Sequence, residues 1–303
     1  MKGAPGYDEV GSDDGTGQRL TAAARAILAD ARAALSDPKL TEAEAVHDVR
    51  KASKRWRALM RLLSGPLGKP ADAMRGEARD LMRALSGSRD GQAALDALTD
   101  LRKSDLPVSE TSMKTIEARL TKVRGETESA SFTPELRQRL TVYLDLAERS
   151  AATWPLDAID FGAVADELTV TYQRARQLMP DDWYAAEPEH LHDLRKRVVE
   201  HRHQMELVEP LWPRLARVWA QEAQRLRERL GSAQDLAVFE GLMAPRQILA
   251  PWRSRLTPLI ADRRMAHLKA SAKLASRLFA EKPKAFRSRL GALWKAKEDS
   301  GEE

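Results

Sequence analysis

A five-residue phrase that occurs twice constrains the fold of this chain more than any other feature. HDVRK occupies positions 47–51 and HDLRK positions 192–196, so the copies stand 145 positions apart in a chain of 303 residues. At the same offset, and without a gap, four further residues recur: Glu44, Arg57, Met60 and Leu62 align with Glu189, Arg202, Met205 and Leu207. A register kept over this span predicts an internal duplication.

The repeat also predicts the domain boundaries. The two homologous halves are expected at 18–155 and 156–297, joined near the segment TWPLDAIDFG. Before them, residues 1–17 are rich in Gly and Asp and are expected to form a disordered tail. After them, residues 298–303 are expected to form a short acidic tail.

Local patterns predict helices throughout both halves. Thr41 and Glu44 form the Thr-x-x-Glu pattern of a capping box, so a helix is expected from Glu42 to about Leu63. Thr133 followed by Pro134 predicts another helix start. Further breaks are expected in the second half at Pro188, Pro210–Pro213, Gly231–Ser232, Pro251 and Pro283. The two-residue alternation typical of strands is missing, so the predicted architecture is all-α, with two packed helical bundles.

Several classes of protein are excluded by what the sequence lacks. It contains no Cys, which excludes disulfides, thiolate nucleophiles and cysteine-ligated metal sites. It has no apolar run of about 18 residues, no Gly-x-x-x-x-Gly-Lys phosphate loop and no Gly-x-Ser-x-Gly elbow. Its first residues lack the apolar core of a secretion signal, so we expect a cytoplasmic protein.

The helix that carries the first copy of the phrase separates apolar from basic residues. At about 100° per residue, Val46, Val49, Trp56 and Leu59 fall on one side. The other side carries one histidine and five cations: His47, Arg50, Lys51, Lys54, Arg57 and Arg61. Like charges at this spacing repel one another, and after Asp48 the stripe contains no acid. Such a stripe is typical of a site for an external anion.

The second copy keeps only part of this stripe. Its counterparts are His192, Arg195, Lys196 and Arg202, and His203 adds a further candidate contact. Val199 replaces a lysine and Glu206 replaces an arginine, so we expect weaker binding by this half.

A second basic region lies near the carboxyl end of the chain. Residues 253–297 contain 13 Lys or Arg and only two acids, Asp262 and Glu281. This concentration indicates a polyanion partner, and Lys273 is a candidate contact within it.

Three other functions remain as alternatives. Glu44-x-x-His47 and Glu189-x-x-His192 match the Glu-x-x-His ligands of two-metal helical bundles, although the capping box already engages Glu44. Catalysis through a phosphohistidine at His47 or His192 would give a phosphohydrolase or phosphotransferase, but no carboxylate cluster for magnesium accompanies these residues. Nucleic acid would fit any phosphate-binding surface, yet aromatic side chains for base stacking are missing from the basic stripe.

The sequence also predicts the roles of the other histidines. His190/His192 and His201/His203 are spaced two residues apart and point to different sides of a helix, so neither pair shares an ion readily. His201 falls on the apolar side and is expected to be structural. His267 lies in the basic carboxyl-terminal region and is expected at the surface or facing an anion.

These motifs resemble the CHAD family, the conserved-histidine α-helical domain. The matching segments are VHDVRKASKRWRALMRLL, LSGSRD, TYQRARQL, LHDLRKRVVEHRHQMEL and LGSAQD, and the resemblance extends over about residues 18–297. Ser86 and Gln234 depart from the Leu-Gly-x-x-Arg-Asp turn of the family.

The resemblance implies two homologous helical bundles around a pseudo-twofold axis, a basic groove that binds inorganic polyphosphate, and location at polyphosphate granules rather than catalysis. We expect no cofactor and no metal. Carried over by position, the groove takes His47, Arg50, Lys54, Arg57, His192, Arg195, Lys196 and Arg202 from the two copies, with Arg89 from LSGSRD and Tyr172 and Arg176 from TYQRARQL. Members of the family often follow a triphosphate-tunnel domain, whereas this sequence is expected to be a stand-alone module.

Overall fold

The computed structural model describes residues 15–85, 89–104, 106–128 and 132–300. These residues form twelve α-helices and no strand, which confirms the predicted all-α class. The helices are α1 Thr16–Ser36, α2 Glu42–Leu62, α3 Ser64–Leu67, α4 Lys69–Ala84, α5 Arg89–Leu101, α6 Glu110–Glu128, α7 Pro134–Thr153, α8 Phe161–Gln177, α9 Pro188–Leu207, α10 Pro213–Gly241, α11 Arg253–Leu278 and α12 Pro283–Ser300. In the part of the chain covered by these ranges, no helix is long and apolar enough to cross a membrane.

Helix starts follow the local signals of the sequence. The Thr41 side chain accepts a hydrogen bond from the Glu44 amide at 3.3 Å, and the Glu44 carboxylate accepts one from the Thr41 amide at 2.9 Å, so the predicted capping box is present. At α7 the Thr133 side chain accepts a hydrogen bond from the Leu136 amide at 3.3 Å, and Pro134 is the first residue of the helix. These bonds satisfy amide groups that have no partner within the helix.

Helices overlap the inner ends of the two segments predicted as tails. Residues 1–14 lie outside the described ranges, but α1 already begins at Thr16. At the other end α12 continues to Ser300, and residues 301–303 lie outside the description.

The predicted break at Gly231–Ser232 is wrong, because α10 runs through it without interruption. A β-carbon at Gly231 would lie 3.2 Å from Nη2 of Arg195, so the glycine lets the Arg195 side chain pack closely on the helix. The residue type therefore serves a close approach between α9 and α10 rather than a turn.

Two hydrophobic clusters hold the helices together. The larger one joins the apolar faces of α1, α2, α4, α7, α8 and α9 with parts of the last three helices. The smaller one contains residues of α5 and α6 together with the end of α10 and the beginning of α11. Both clusters contain residues of both sequence halves, so the halves predicted as two bundles share their cores.

An aromatic group lies at the centre of the larger cluster. His201 is fully buried, and the Trp219 indole N–H donates to its Nε2 at 2.9 Å, so the expected structural role of His201 agrees with its position. Tyr172 is also fully buried and stacks on Phe286 with 4.2 Å between ring centroids. The rings of these residues fill the space between α8, α9, α10 and α12.

His267 does not lie at the surface, and the anion that it faces is a carboxylate of the protein itself. His267 is 3% exposed, and its Nε2 lies 2.7 Å from Oδ2 of Asp100, a buried residue of α5. Arg263 contacts both carboxylate oxygens of Asp100, at 2.8 and 2.9 Å. This network ties α5 to α11.

Candidate anion-binding site

Helix α2 presents its basic stripe away from the hydrophobic core. His47, Lys51 and Lys54 are exposed, whereas Arg50, Arg57 and Arg61 are half-buried. The opposite side of the helix is buried, with Trp56 and Leu59 among its core residues. The separation predicted from the helical period is therefore present in the structure.

Helices α2 and α9 lie against each other and run antiparallel. The Gln204 amide donates to the carbonyl oxygen of Ala58 at 3.2 Å, Lys54 lies near His203, and Glu200 lies near Arg57 and Arg61. In these pairs the residue numbers of α9 fall as those of α2 rise. The amino-terminal parts of the two helices therefore lie at opposite ends of the pair. His47 and His192 therefore do not face each other.

The His, Arg and Lys residues that the sequence predicts as contacts on these two helices, apart from His203, are called the basic face below. Its members on α2 and α9 are His47, Arg50, Lys51, Lys54, Arg57, Arg61, His192, Arg195, Lys196 and Arg202. The face extends over about 30 Å, the length of a 20-residue helix.

Four arginines that the sequence analysis did not select lie next to the centre of the basic face. Burial lowers the pKa of Arg57, and the nearby charges of Arg75, Arg79 and Arg197 lower it further. Burial likewise lowers the pKa of Arg61, with Arg75, Arg174 and Arg197 as its cationic neighbours. We call the six residues Arg57, Arg61, Arg75, Arg79, Arg174 and Arg197 the arginine cluster.

These cations come from α2, α4, α8 and α9, which explains why they were missed. The four-residue spacing of Arg75 and Arg79 is visible in the sequence, but only the packing of α4 on α2 brings them to Arg57. No local pattern indicates that Arg174 of α8 lies near Arg61.

The expectation that the stripe lacks acidic neighbours holds within α2 but not in the folded chain. Glu200 of α9 accepts a hydrogen bond from Nη1 of Arg197 at 2.5 Å, and its charge raises the pKa of Arg57 and Arg61. The side chain of Glu200 is only 12% exposed. An acid on another helix thus offsets part of the positive charge.

Arg50 combines its place on the basic face with a structural contact. Its guanidinium donates to the carbonyl oxygen of Leu85, which follows the last residue of α4. In the second copy, Nε of Arg195 donates to the carbonyl oxygen of Arg227 at 3.4 Å. Both arginines therefore contact backbone of the neighbouring helix segment as well as facing outward in part.

Gln234, a departure from the family turn, organises the second copy of the phrase. Its side-chain oxygen lies 2.9 Å from Nδ1 of His192 and 3.4 Å from Nη1 of Arg195. Lys196 pairs with Asp193 at 2.8 Å, and Arg202 pairs with Glu206 at 2.6 Å. Acidic partners thus compensate part of the charge of the second copy.

Two predicted contact residues are buried and cannot line a surface as they stand. The Tyr172 hydroxyl donates to the carbonyl oxygen of Glu281 at 3.1 Å inside the core. His203 is 7% exposed, its Nδ1 lies 2.8 Å from Oε2 of Glu206, and burial lowers its pKa. Tyr172 and His203 are therefore not surface contacts.

Three further predicted residues lie apart from the basic face or outside the description. Nη1 of Arg176 donates to the carbonyl oxygens of Phe279 and Ala280, both at 3.1 Å, and so caps the end of α11. Lys273 is exposed on α11, which packs against α10. Arg89 begins α5, but its side chain is not among those described.

The arrangement gives little support to a two-metal site. Glu44 accepts hydrogen bonds from both the amide and the hydroxyl of Thr41, at 2.9 and 2.7 Å. Within the described ranges, no group of three or more His, Asp or Glu side chains is close enough to hold a metal ion.

These features define an all-α protein in which two antiparallel helices present a basic face. A comparison with models of known protein families matches residues 18–244 to the CHAD domain. Since this match covers most of the chain, the protein belongs to the CHAD family, as the motifs predicted.

A crystal structure supports the same fold. The CHAD domain from the plant Ricinus communis matches with a TM-score of 0.53 and 18% sequence identity, covering 91% of this chain and 91% of that chain. At this identity the likeness shows the fold alone. A search of curated proteins finds no match.

Proposed function

We propose that this protein binds inorganic polyphosphate through the basic face without catalysing its conversion. The observation that carries the proposal is the arginine cluster, in which six cations from four helices lie close together. Burial and mutual repulsion disfavour the charged forms of Arg57 and Arg61. A bound polyanion would relieve that repulsion, because opposite charge nearby favours the charged form.

The chemistry of the side chains fits a polymer of phosphate units. Arginine donates paired hydrogen bonds to phosphate oxygens, and lysine supplies a mobile point charge. Lys51 and Lys54 are exposed beside the arginine cluster on the same helix. Polyphosphate has no base to recognise, so a face of cations without aromatic platforms is sufficient.

The first test exchanges three exposed residues of the face. In the variant H47A/K51A/K54A, affinity for polyphosphate should fall about tenfold or more, because three cationic or hydrogen-bonding contacts are lost. Isothermal titration at several salt concentrations measures this, and wild-type binding should weaken steeply as salt rises.

The matched control removes three exposed cations elsewhere, Lys114, Arg139 and Arg149 on α6 and α7. The variant K114A/R139A/R149A has a lower net charge as well, but should keep nearly wild-type affinity. If both variants lose affinity equally, net charge rather than the basic face governs binding, and the site assignment is wrong.

Catalysis is the second function to be tested. A phosphohydrolase or phosphotransferase that uses His47 or His192 would shorten polyphosphate in the presence of magnesium. Gel electrophoresis of the polymer after incubation decides this, and we expect its length to stay unchanged. Shortening that disappears in H47A or H192A would replace the binding proposal with catalysis.

Binding of nucleic acid is the third function to be tested. In competition, long polyphosphate should displace RNA of matched charge, since the basic face offers no aromatic side chains on which bases would stack. Displacement of polyphosphate by RNA would contradict the proposed function.

In cells, a fluorescently labelled protein should collect at polyphosphate granules, and the variant H47A/K51A/K54A should collect there less.

A further inference from the structure

The outer side of α11 carries a line of exposed cations. Lys269, Lys273 and Arg277 recur every four residues, so they fall within about 80° of one another around the helix axis. All three are exposed, whereas Leu268 and Ala275 on the opposite side are buried in the larger hydrophobic cluster.

The line continues past the end of α11. Lys282 and Lys284 are exposed at the beginning of α12, and the five residues Lys269, Lys273, Arg277, Lys282 and Lys284 are called the α11 tract below. Glu281 interrupts them in sequence, but its carboxylate accepts hydrogen bonds from Arg289, at 2.8 and 3.0 Å. The acid nearest to the tract in sequence is therefore already engaged.

The α11 tract differs from an ordinary solvated helix face. Across the described residues, none of its five members forms an ion pair with an acidic side chain. Elsewhere on the surface charges alternate in sign, as where Arg32 contacts Asp145 and Glu148 at 2.6 and 2.8 Å. Like charges one helical turn apart repel by tenths of a kcal/mol per pair, roughly 0.2–0.5. A tract of one sign fits an external anion.

The tract lies apart from the basic face. It is outside residues 18–244, which match the CHAD domain, and α11 packs on α10 rather than on α2. Helix α10 in turn packs on α9, where Gln234 contacts His192. One helix thus separates the tract from the second half of the basic face.

We propose that the α11 tract is a second contact surface for a long linear phosphate polymer after it leaves the basic face. This inference rests on the proposed function. A chain no longer than α2, about 30 Å, can be held by the basic face alone. A polymer several times longer reaches beyond that face, and the α11 tract offers it further cations at regular spacing.

The α11 tract fits a ligand that is recognised by its phosphate charge alone better than it fits nucleic acid or an anionic membrane. It has no aromatic side chain on which a base would stack. Met265, one turn before Lys269, is an exposed apolar residue beside the tract. A helix that binds a membrane surface needs a whole apolar face, which one methionine does not provide. RNA and anionic vesicles therefore serve as comparison ligands.

The experiment compares K269A/K273A/R277A with K114A/R139A/R149A, which removes the same number of exposed cations from α6 and α7. Affinity is measured for an oligophosphate no longer than α2 and for a polymer several times longer, at several salt concentrations. For the long polymer the tract variant should bind about tenfold more weakly, with a salt slope smaller by up to about three. For the short one it should match the control.

The other outcomes overturn the inference in distinguishable ways. If wild type binds both polymers and the tract variant equals the control on both, the α11 tract is not a contact surface. If the tract variant loses only RNA or vesicle binding, its partner is a different polyanion. If wild type binds neither phosphate polymer, the proposed function itself fails, and the inference fails with it.

Discussion

Glu200 is one of the acidic side chains placed among the arginines of the arginine cluster. It bonds to Arg197 and lies near Arg57 and Arg61, and only 12% of its side chain is exposed. We expect an incoming phosphate to approach the same arginines. Glu200 therefore stabilises the unliganded cluster and competes with the proposed ligand.

The substitution E200Q tests this competition while conserving the size of the side chain. Polyphosphate affinity should rise several-fold, because Arg57, Arg61 and Arg197 lose one neighbouring carboxylate. The free energy of unfolding should fall by roughly 2 kcal/mol, because a hydrogen bond to a charged group is weakened. Titration calorimetry and urea unfolding measure the two quantities. An affinity that falls instead would show that Glu200 positions the arginines for binding.

The burial of His201 couples the stability of the fold to pH. Burial lowers the pKa of His201 to about 3, with the charge of Arg289 as a smaller contribution. In the unfolded chain a histidine has a pKa of about 6.5. The folded protein therefore binds fewer protons than the unfolded chain between these values, and stability is lost as pH falls through this window.

Replacing His201 by phenylalanine should remove this part of the pH dependence. Between about pH 6 and 4, wild-type stability should fall more steeply than that of H201F, by up to about 1.4 kcal/mol per pH unit. At neutral pH the variant should be less stable, because the Trp219 N–H loses its acceptor. Urea unfolding across pH measures both effects. Parallel curves for the wild type and H201F would contradict the assignment.

At the scale of elements, the contact of α1 with the turn Leu156–Ala158 depends on a glycine. A β-carbon at Gly17 would lie 2.2 Å from the carbonyl oxygen of Leu156 and 2.5 Å from Cα of Asp157. Because both are backbone atoms, they cannot move aside as a side chain would. The first turn of α1 must therefore approach this segment without a side chain at position 17.

The pair G17A and G76A tests this contact within one protein. G17A should lower the free energy of unfolding by about 2 kcal/mol, since it forces backbone atoms apart. Gly76 lies inside α4 with open space around its β-carbon position, so G76A should raise stability by up to about 1 kcal/mol. Thermal unfolding compares the two, and equal effects would show that helix propensity alone matters at both positions.

Helix bounds show which elements local sequence can predict. The capping box and the helical period predict α2 from Glu42 to about Leu63, and the helix ends at Leu62. Shifting its bounds by 145 positions gives 187–207, and α9 occupies Pro188–Leu207. Gly231 misled the prediction for α10, because the glycine serves the approach of Arg195 and the helix continues past it. A local signal cannot distinguish these two uses of glycine.

At the scale of the whole molecule, the hydrophobic clusters do not follow the sequence repeat. The smaller cluster contains Leu98 and Ile116 from the first half and Phe239 and Ile260 from the second. In the larger cluster, residues of α2 join residues of α9. Neither half can complete its core without the other.

Fragments of the chain should therefore fail to fold alone. A protein containing only residues 18–155 should lack a cooperative thermal transition, because its share of both clusters would be exposed to water. Circular dichroism during heating measures this, and mixing with residues 156–297 should restore a transition. A fragment 18–155 that unfolds cooperatively near the temperature of the intact chain would establish it as an independent domain.

What the sequence alone determined was local: the all-α class, the bounds of α2, and the side of that helix on which His47 and its cations lie. These features follow from capping and helical period, which depend on residues within a few positions of each other. Only the tertiary structure decided the burial of Tyr172, the approach of Glu200 to Arg57, and the gathering of arginines from four helices. Those contacts join residues far apart in the chain, and the packing of one helix on another determines them.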